Sequence, residues 1–115
     1  MRALDALYEA HKIAFSPFVF ETAYTMLELG VLEAINECKT GASIEEIAAK
    51  TNVSEYGVRV LVEMAESADM VKLEENGSYS ITKIGYFILR DEMTRVNLYF
   101  THEVCYNGLF YLKDS

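Results

Sequence analysis

The sequence predicts a mainly α fold, a winged helix-turn-helix with a small β-hairpin wing and extra helices at both ends. Three observations predict it. Residues 43 to 68 hold two short helical patterns joined by Thr51-Asn52-Val53, residues 71 to 82 alternate apolar and polar around Asn76-Gly77, and apolar residues recur at helical spacing over most of the rest. With 115 residues the chain has room for one modest core, since a domain of this size buries roughly two thirds of its unfolded surface. A composition that is 51% hydrophobic excludes disorder, and a net charge of −8 argues against a general nucleic-acid binder.

From the N-terminus, Leu4, Leu7, Tyr8, His11 and Phe15 form the stripe of a helix with one buried face, while Asp5, Glu9 and Lys12 lie opposite. Ser16-Pro17 then reads as a helix start, with Ser16 as N-cap and Pro17 at the first helical position. The helix that follows, Phe18 to Leu29, is closed by Gly30 and is apolar on more than one side. A small domain has few elements with which to wrap such a helix, so part of it is expected to face a second chain. Val31 to Ile35 makes a further short helix before the break at Lys39-Thr40-Gly41.

The helix-turn-helix is locally consistent. Ser43 with Glu46 makes a capping box for a helix whose inner face is Ile44, Ile47 and Ala48, and Ser54 caps a second helix with Val58, Leu61, Val62 and Ala65 inside. Asn76-Gly77 predicts a two-residue type I′ turn between the strands of the wing. Thr82 caps the next helix, through Tyr86, Phe87, Ile88 and Leu89. Met93 to Lys113 reads as one long helix with Val96, Phe100, Val104 and Tyr111 on one face and Leu98, Cys105, Leu109 and Leu112 on another. It stops at Asp114-Ser115 without Gly or Pro, and a continuation into a longer protein is expected.

Charge decides against DNA. A recognition helix needs Arg, Lys, Asn or Gln toward bases and phosphates. Residues 42 to 70 carry Glu45, Glu46, Glu55, Glu63, Glu66 and Asp69 against Lys50 and Arg59 alone, and Arg59 is spaced to pair with Glu55 and Glu63. The expectation is no nucleic acid and no membrane: Met1 to Asp5 lacks the apolar run of a signal peptide, and Glu21 and Glu28 interrupt the most apolar stretch. Cys38 and Cys105 lack zinc or redox spacing, which fits reduced thiols in a cytoplasmic protein.

No glycine loop of the phosphate-cradling kind is present, so no cofactor site is expected in this chain. In His102-Glu103-Val104-Cys105-Tyr106 a tyrosine stands where a zinc helix has its second histidine; two ligands out of the usual four make a packed helix with a polar edge the better reading, and no metal is assigned. His11 is read as a core or interface histidine, and Phe15, Phe18, Phe20 and Tyr24 as core in preference to a pocket wall.

In their order these pieces resemble a known family. A-Y-T-M-L-E-L-G-V-L-E-A-I from Ala23, A-S-I-E-E-I-A-A-K-T-N-V from Ala42, V-R-V-L-V-E-M-A-E-S-A-D-M-V from Val58 and G-S-Y-S-I-T-K-I-G from Gly77 are similar to the N-terminal dimerisation domain of S-adenosylmethionine-dependent O-methyltransferases, over about residues 13 to 112. Two departures stand out: Ala68-Asp69-Met70 replaces a small residue followed by Gly-Leu, and the final helix follows the family only loosely.

The resemblance implies a homodimer held by its terminal helices, with Leu7, His11, Phe15, Phe18, Val19, Phe20, Tyr24 and Leu27 at the interface and Phe100 and Asn107 toward a substrate lid. It divides the chain into residues 1 to 92, the dimerisation and winged-helix domain, and 93 to 115, a helix leading to a Rossmann-like catalytic domain. That domain would hold S-adenosylmethionine, the small-molecule acceptor and every catalytic residue. The competing reading is an acidic winged-helix transcriptional regulator or ligand sensor.

Overall fold

The computed structural model describes residues 1 to 114. Ser115, at the end of the expected 93 to 115 segment, lies outside the described residues. Helix α1 (Ala3–Ala14) is followed almost directly by α2 (Ser16–Glu28), α3 (Val31–Glu37), α4 (Ile44–Thr51) and α5 (Glu55–Ser67). The hairpin β1 (Val71–Leu73) and β2 (Tyr79–Ile81) leads to α6 (Lys83–Arg90) and α7 (Glu92–Phe100). Beyond α7 the helix widens into a π-helical turn, Thr101–Cys105, narrows again in α8 (Tyr106–Leu109) and ends in a 3₁₀ turn, Leu112–Asp114. The architecture is mainly helical and winged-helix-like.

Local chemistry sets most boundaries as the sequence predicts. The Ser43 hydroxyl accepts from the Glu46 amide at 3.1 Å while the Glu46 carboxylate accepts from the Ser43 amide at 2.9 Å, which completes the capping box. Ser54 caps α5 through the Gly57 amide, and Thr82 caps α6 through the Gly85 amide. Gly30 takes a left-handed φ of 79° between α2 and α3, a conformation with little cost for glycine.

Three local expectations need correction. Ser16 is not an N-cap: its hydroxyl donates to the Ile13 carbonyl at 2.8 Å, tying α2 to the end of α1, and the N-cap of α2 is Phe15 with no side-chain bond. The wing turn is not the two-residue type. Gly77 donates to the Glu74 carbonyl at 3.0 Å and alone in the turn has positive φ, while Glu74 donates to Ser78 at 2.8 Å, so the loop has three residues, Glu75 to Gly77. Asn76 keeps negative φ because its side-chain oxygen accepts from both the amide and the hydroxyl of Ser78, at 3.0 and 2.7 Å. The terminal segment, finally, is not one uninterrupted α-helix, since the π turn shifts the faces of everything after Phe100.

The hairpin pairs Val71 with Ile81 and Leu73 with Tyr79. A further bridge, absent from the sequence reading, joins Ala42 to Tyr79 through two bonds of 2.8 Å and fixes the start of the helix-turn-helix against the wing. The core lies between α2, α3, α4, α5 and the hairpin: Met26, Leu32, Ile35, Ile47, Val58, Val62, Met70 and Val71 are almost wholly enclosed. Leu89 and Leu98 attach α6 and α7 to it.

Around this core the outline is open. A folded monomer of this mass exposes about 6,300 Å², but the chain exposes 7974 Å². Its Cα radius of gyration is 15.3 Å, where a compact domain of this length has about 13 Å. No helix is long and apolar enough to cross a membrane among the described residues.

Candidate association surface

Many of the exposed large apolar side chains lie toward the two ends of the chain. No residue of α1 is buried. Leu4, Leu7, Tyr8 and Ile13 on α1, together with Phe15 and Phe18, are each more than half exposed. Fully burying side chains of this kind is worth about 1.5 to 3 kcal/mol each, so the free chain forgoes several such contributions along one helix and the start of the next. Phe15 stands between the two helices, its ring 6.4 Å from that of His11 and 6.1 Å from that of Phe18.

Helix α2 explains its two-sided apolar pattern. One side, Thr22, Ala23 and Met26, enters the core. On the other, Phe18 is exposed while Val19, Phe20, Tyr24 and Leu27 are half-buried. A groove of about 560 Å³ lies where α1 and α2 approach the ends of α5 and α6, bounded by Tyr8, His11, Phe15, Val19, Met64 and Ile84. Of the residues expected at an interface, Leu7, His11, Phe15 and Phe18 are therefore exposed, and Val19, Phe20, Tyr24 and Leu27 lie at the margin of the core. Phe15 and Phe18 are not the core residues the aromatic pattern predicts. His11 is not in the core either; its Nδ1 lies 3.0 Å from the Leu7 carbonyl.

The terminal segment packs over α2 through a set of rings. Phe20 stacks on Tyr106 at 5.4 Å, and His102 stacks on Tyr24 at 3.6 Å. His102 Nδ1 lies 2.8 Å from Glu21 Oε1, a pair 81 residues apart in sequence with no local signal to announce it. Burial, followed by the nearby Glu28 carboxylate, raises the pKa of the Tyr24 and Tyr99 hydroxyls above the ordinary tyrosine value. His102 sits within the π turn, where the helix is widened. Phe100 and Asn107, the lid candidates, are both exposed, on either side of that turn.

The would-be recognition helix presents Glu55, Tyr56, Arg59, Val60, Glu63 and Glu66 to solvent. Arg59 makes no ion pair with Glu55 or Glu63 among the described residues, contrary to the spacing argument, and Lys72 on the wing is held 3.7 Å from Glu74. The face stays acidic.

Dimerisation2-like domains match this chain over residues 8 to 79. The chain belongs to the Dimerisation2-like domain family. No curated protein matches it in sequence. Among solved structures, the complex of LepI with SAM shares 17% identity at a TM-score of 0.82 and covers 99% of this chain, which in turn covers 28% of that one. A structure described as a pericyclic reaction enzyme gives the same figures. Human N-acetylserotonin methyltransferase in complex with SAM shares 20% identity at a TM-score of 0.76, with 99% of this chain and 34% of that one covered. Such identities establish a common fold, and this Dimerisation2-like domain spans about a third or less of the length of each of these proteins.

Proposed function

We propose that this Dimerisation2-like domain is the dimerisation and substrate-lid part of an S-adenosylmethionine-dependent methyltransferase of the O-methyltransferase type. One observation carries the reading: a surplus of exposed surface, roughly 1,600 Å² above the expectation for a monomer, accompanies exposed large apolar side chains along α1, at Phe15 and Phe18 and over the terminal segment. Obligate dimers bury roughly 1,000 to 2,500 Å² on each subunit, so one partner of the same kind accounts for the surplus. Two of the structures sharing the fold were solved with SAM, and one is a methyltransferase.

In this reading residues 1 to 92 hold two copies together, and residues 93 to 115 lead to a Rossmann-like domain that binds S-adenosylmethionine and performs the chemistry in the cytoplasm. Phe100 and Asn107 face the small-molecule acceptor. The chain itself contributes no catalytic group. Helix α5 meets no nucleic acid, because its carboxylates would repel phosphates.

The association arm is tested with Phe15→Ser/Phe18→Ser, which leaves the core intact. Removing two anchor side chains should weaken the dimer about 30-fold or more by sedimentation equilibrium, and an unchanged mass at every concentration would reject this surface. Extending the reading frame past Ser115 tests the enzyme arm. A glycine-rich strand-turn-helix with an acidic residue further on is expected there; its absence, together with tight sequence-selective DNA binding at low salt, would favour the acidic winged-helix regulator.

A further inference from the structure

Two cavities adjoin between α2 and the terminal segment and share Pro17 and Tyr106 as walls, one of about 310 Å³ and one of about 560 Å³. Sites for small organic ligands have volumes on the order of 300 to 1,000 Å³, lined by apolar and aromatic groups with a few placed polar atoms. Here the rings are Phe18, Phe20, Tyr106 and Phe110, and the hydroxyls are those of Ser16, Thr22, Thr25 and Thr101. Among the described residues, no Lys or Arg lines either cavity, and the one charged side chain that does is Glu21.

That carboxylate is held in place but incompletely used. His102 occupies Oε1 at 2.8 Å, and no hydrogen bond reaches Oε2 among the described residues. The side chain is about two thirds covered, with 35% of its surface exposed. A fixed carboxylate with a free oxygen, set among aromatic faces, favours a cation on two grounds: charge pairing, and the attraction of a cation to the ring quadrupole. An anionic ligand meets no compensating charge in either cavity.

We propose that the cleft around Tyr106 binds a small organic ammonium with an apolar or aryl tail. The ammonium pairs with Glu21, and the tail lies against Tyr106 and its aromatic neighbours. The proposal goes beyond the dimerisation reading and does not depend on it. Phe18 and Phe20 belong to both surfaces, so the test covers concentrations at which the chain is dissociated and associated.

The probe is phenethylammonium, compared with the neutral 2-phenylethanol and the anionic 3-phenylpropionate, each titrated into the whole chain and followed by NMR. The expected result is saturable binding of the amine, about 10-fold tighter than the alcohol, with shifts centred on Glu21, Thr22 and Tyr106 and weakened by salt. Glu21→Gln should remove that preference and leave the alcohol's affinity unchanged; if the variant fails to fold, the ligand series on the natural chain decides alone. Equal affinity for amine and alcohol, no saturable shift, or shifts confined to α1 would overturn the proposal. So would loss of binding as light scattering shows the chain associating, because a second copy would then fill the cleft.

Discussion

At single residues, the backbone geometry makes sharp demands. A Cβ on Gly85 would stand 2.2 Å from the Met70 carbonyl oxygen and 2.8 Å from Ile81 Cγ1. That carbonyl also accepts from the Thr82 amide and hydroxyl, so it cannot retreat freely. Gly85→Ala is expected to lower stability by about 2 kcal/mol in urea unfolding, whereas Gly108→Ala, with nothing within 4 Å, should raise it by about 0.5 kcal/mol. Asp69 explains one departure from the family pattern. It holds a left-handed φ of 60°, a conformation that costs glycine little, so Asp69→Gly should stabilise the chain by about 0.5 kcal/mol in the same measurement. Acid has a predictable direction as well. Hydrogen bonds from Ser43 lower the Glu46 pKa, and those from Thr94 lower that of Asp91. Folded values below the unfolded ones mean that this stabilisation is complete above the ordinary carboxylate range and is lost as pH falls through the lowered folded values. Unfolding midpoints taken from about pH 6 down to about pH 3 should therefore fall less steeply in Glu46→Gln/Asp91→Asn than in the natural chain.

Among the elements, most of those governed by neighbouring residues were legible, and those governed by distant contacts were not. The capping box at Ser43, the cap at Thr82 and the stop at Gly30 each depend on residues a few positions apart, and each forms as the sequence predicts. The wing turn escaped because Asn76 spends its side chain on Ser78, which selects a longer loop than the Asn-Gly pair implies. Similarly, the apolar stripes of residues 93 to 113 assume an unbroken 3.6-residue period. The π turn exists where His102 meets Glu21 and Tyr24 on α2, and no local pattern reports that meeting. The site was partly legible for the same reason. That α2 has a second apolar side followed from its composition; that Phe15 and Phe18 stand outside the core, and that Glu21 borders a cleft, required the packing of α1 and the terminal segment around it.

For the whole molecule, one small core supports more exposed apolar side chains than a solitary domain of this size needs. The same fold occurs in a structure described as a pericyclic reaction enzyme and in a methyltransferase, as expected when a scaffold is shared and the chemistry resides elsewhere. In the proposed reading a second copy covers the surplus surface of this chain. The mass of the natural chain in solution, measured by light scattering from nanomolar to micromolar concentration, tests that most directly. A mass that rises with concentration to twice the 13.0 kDa of one chain is the predicted result. A mass of 13.0 kDa throughout would contradict it.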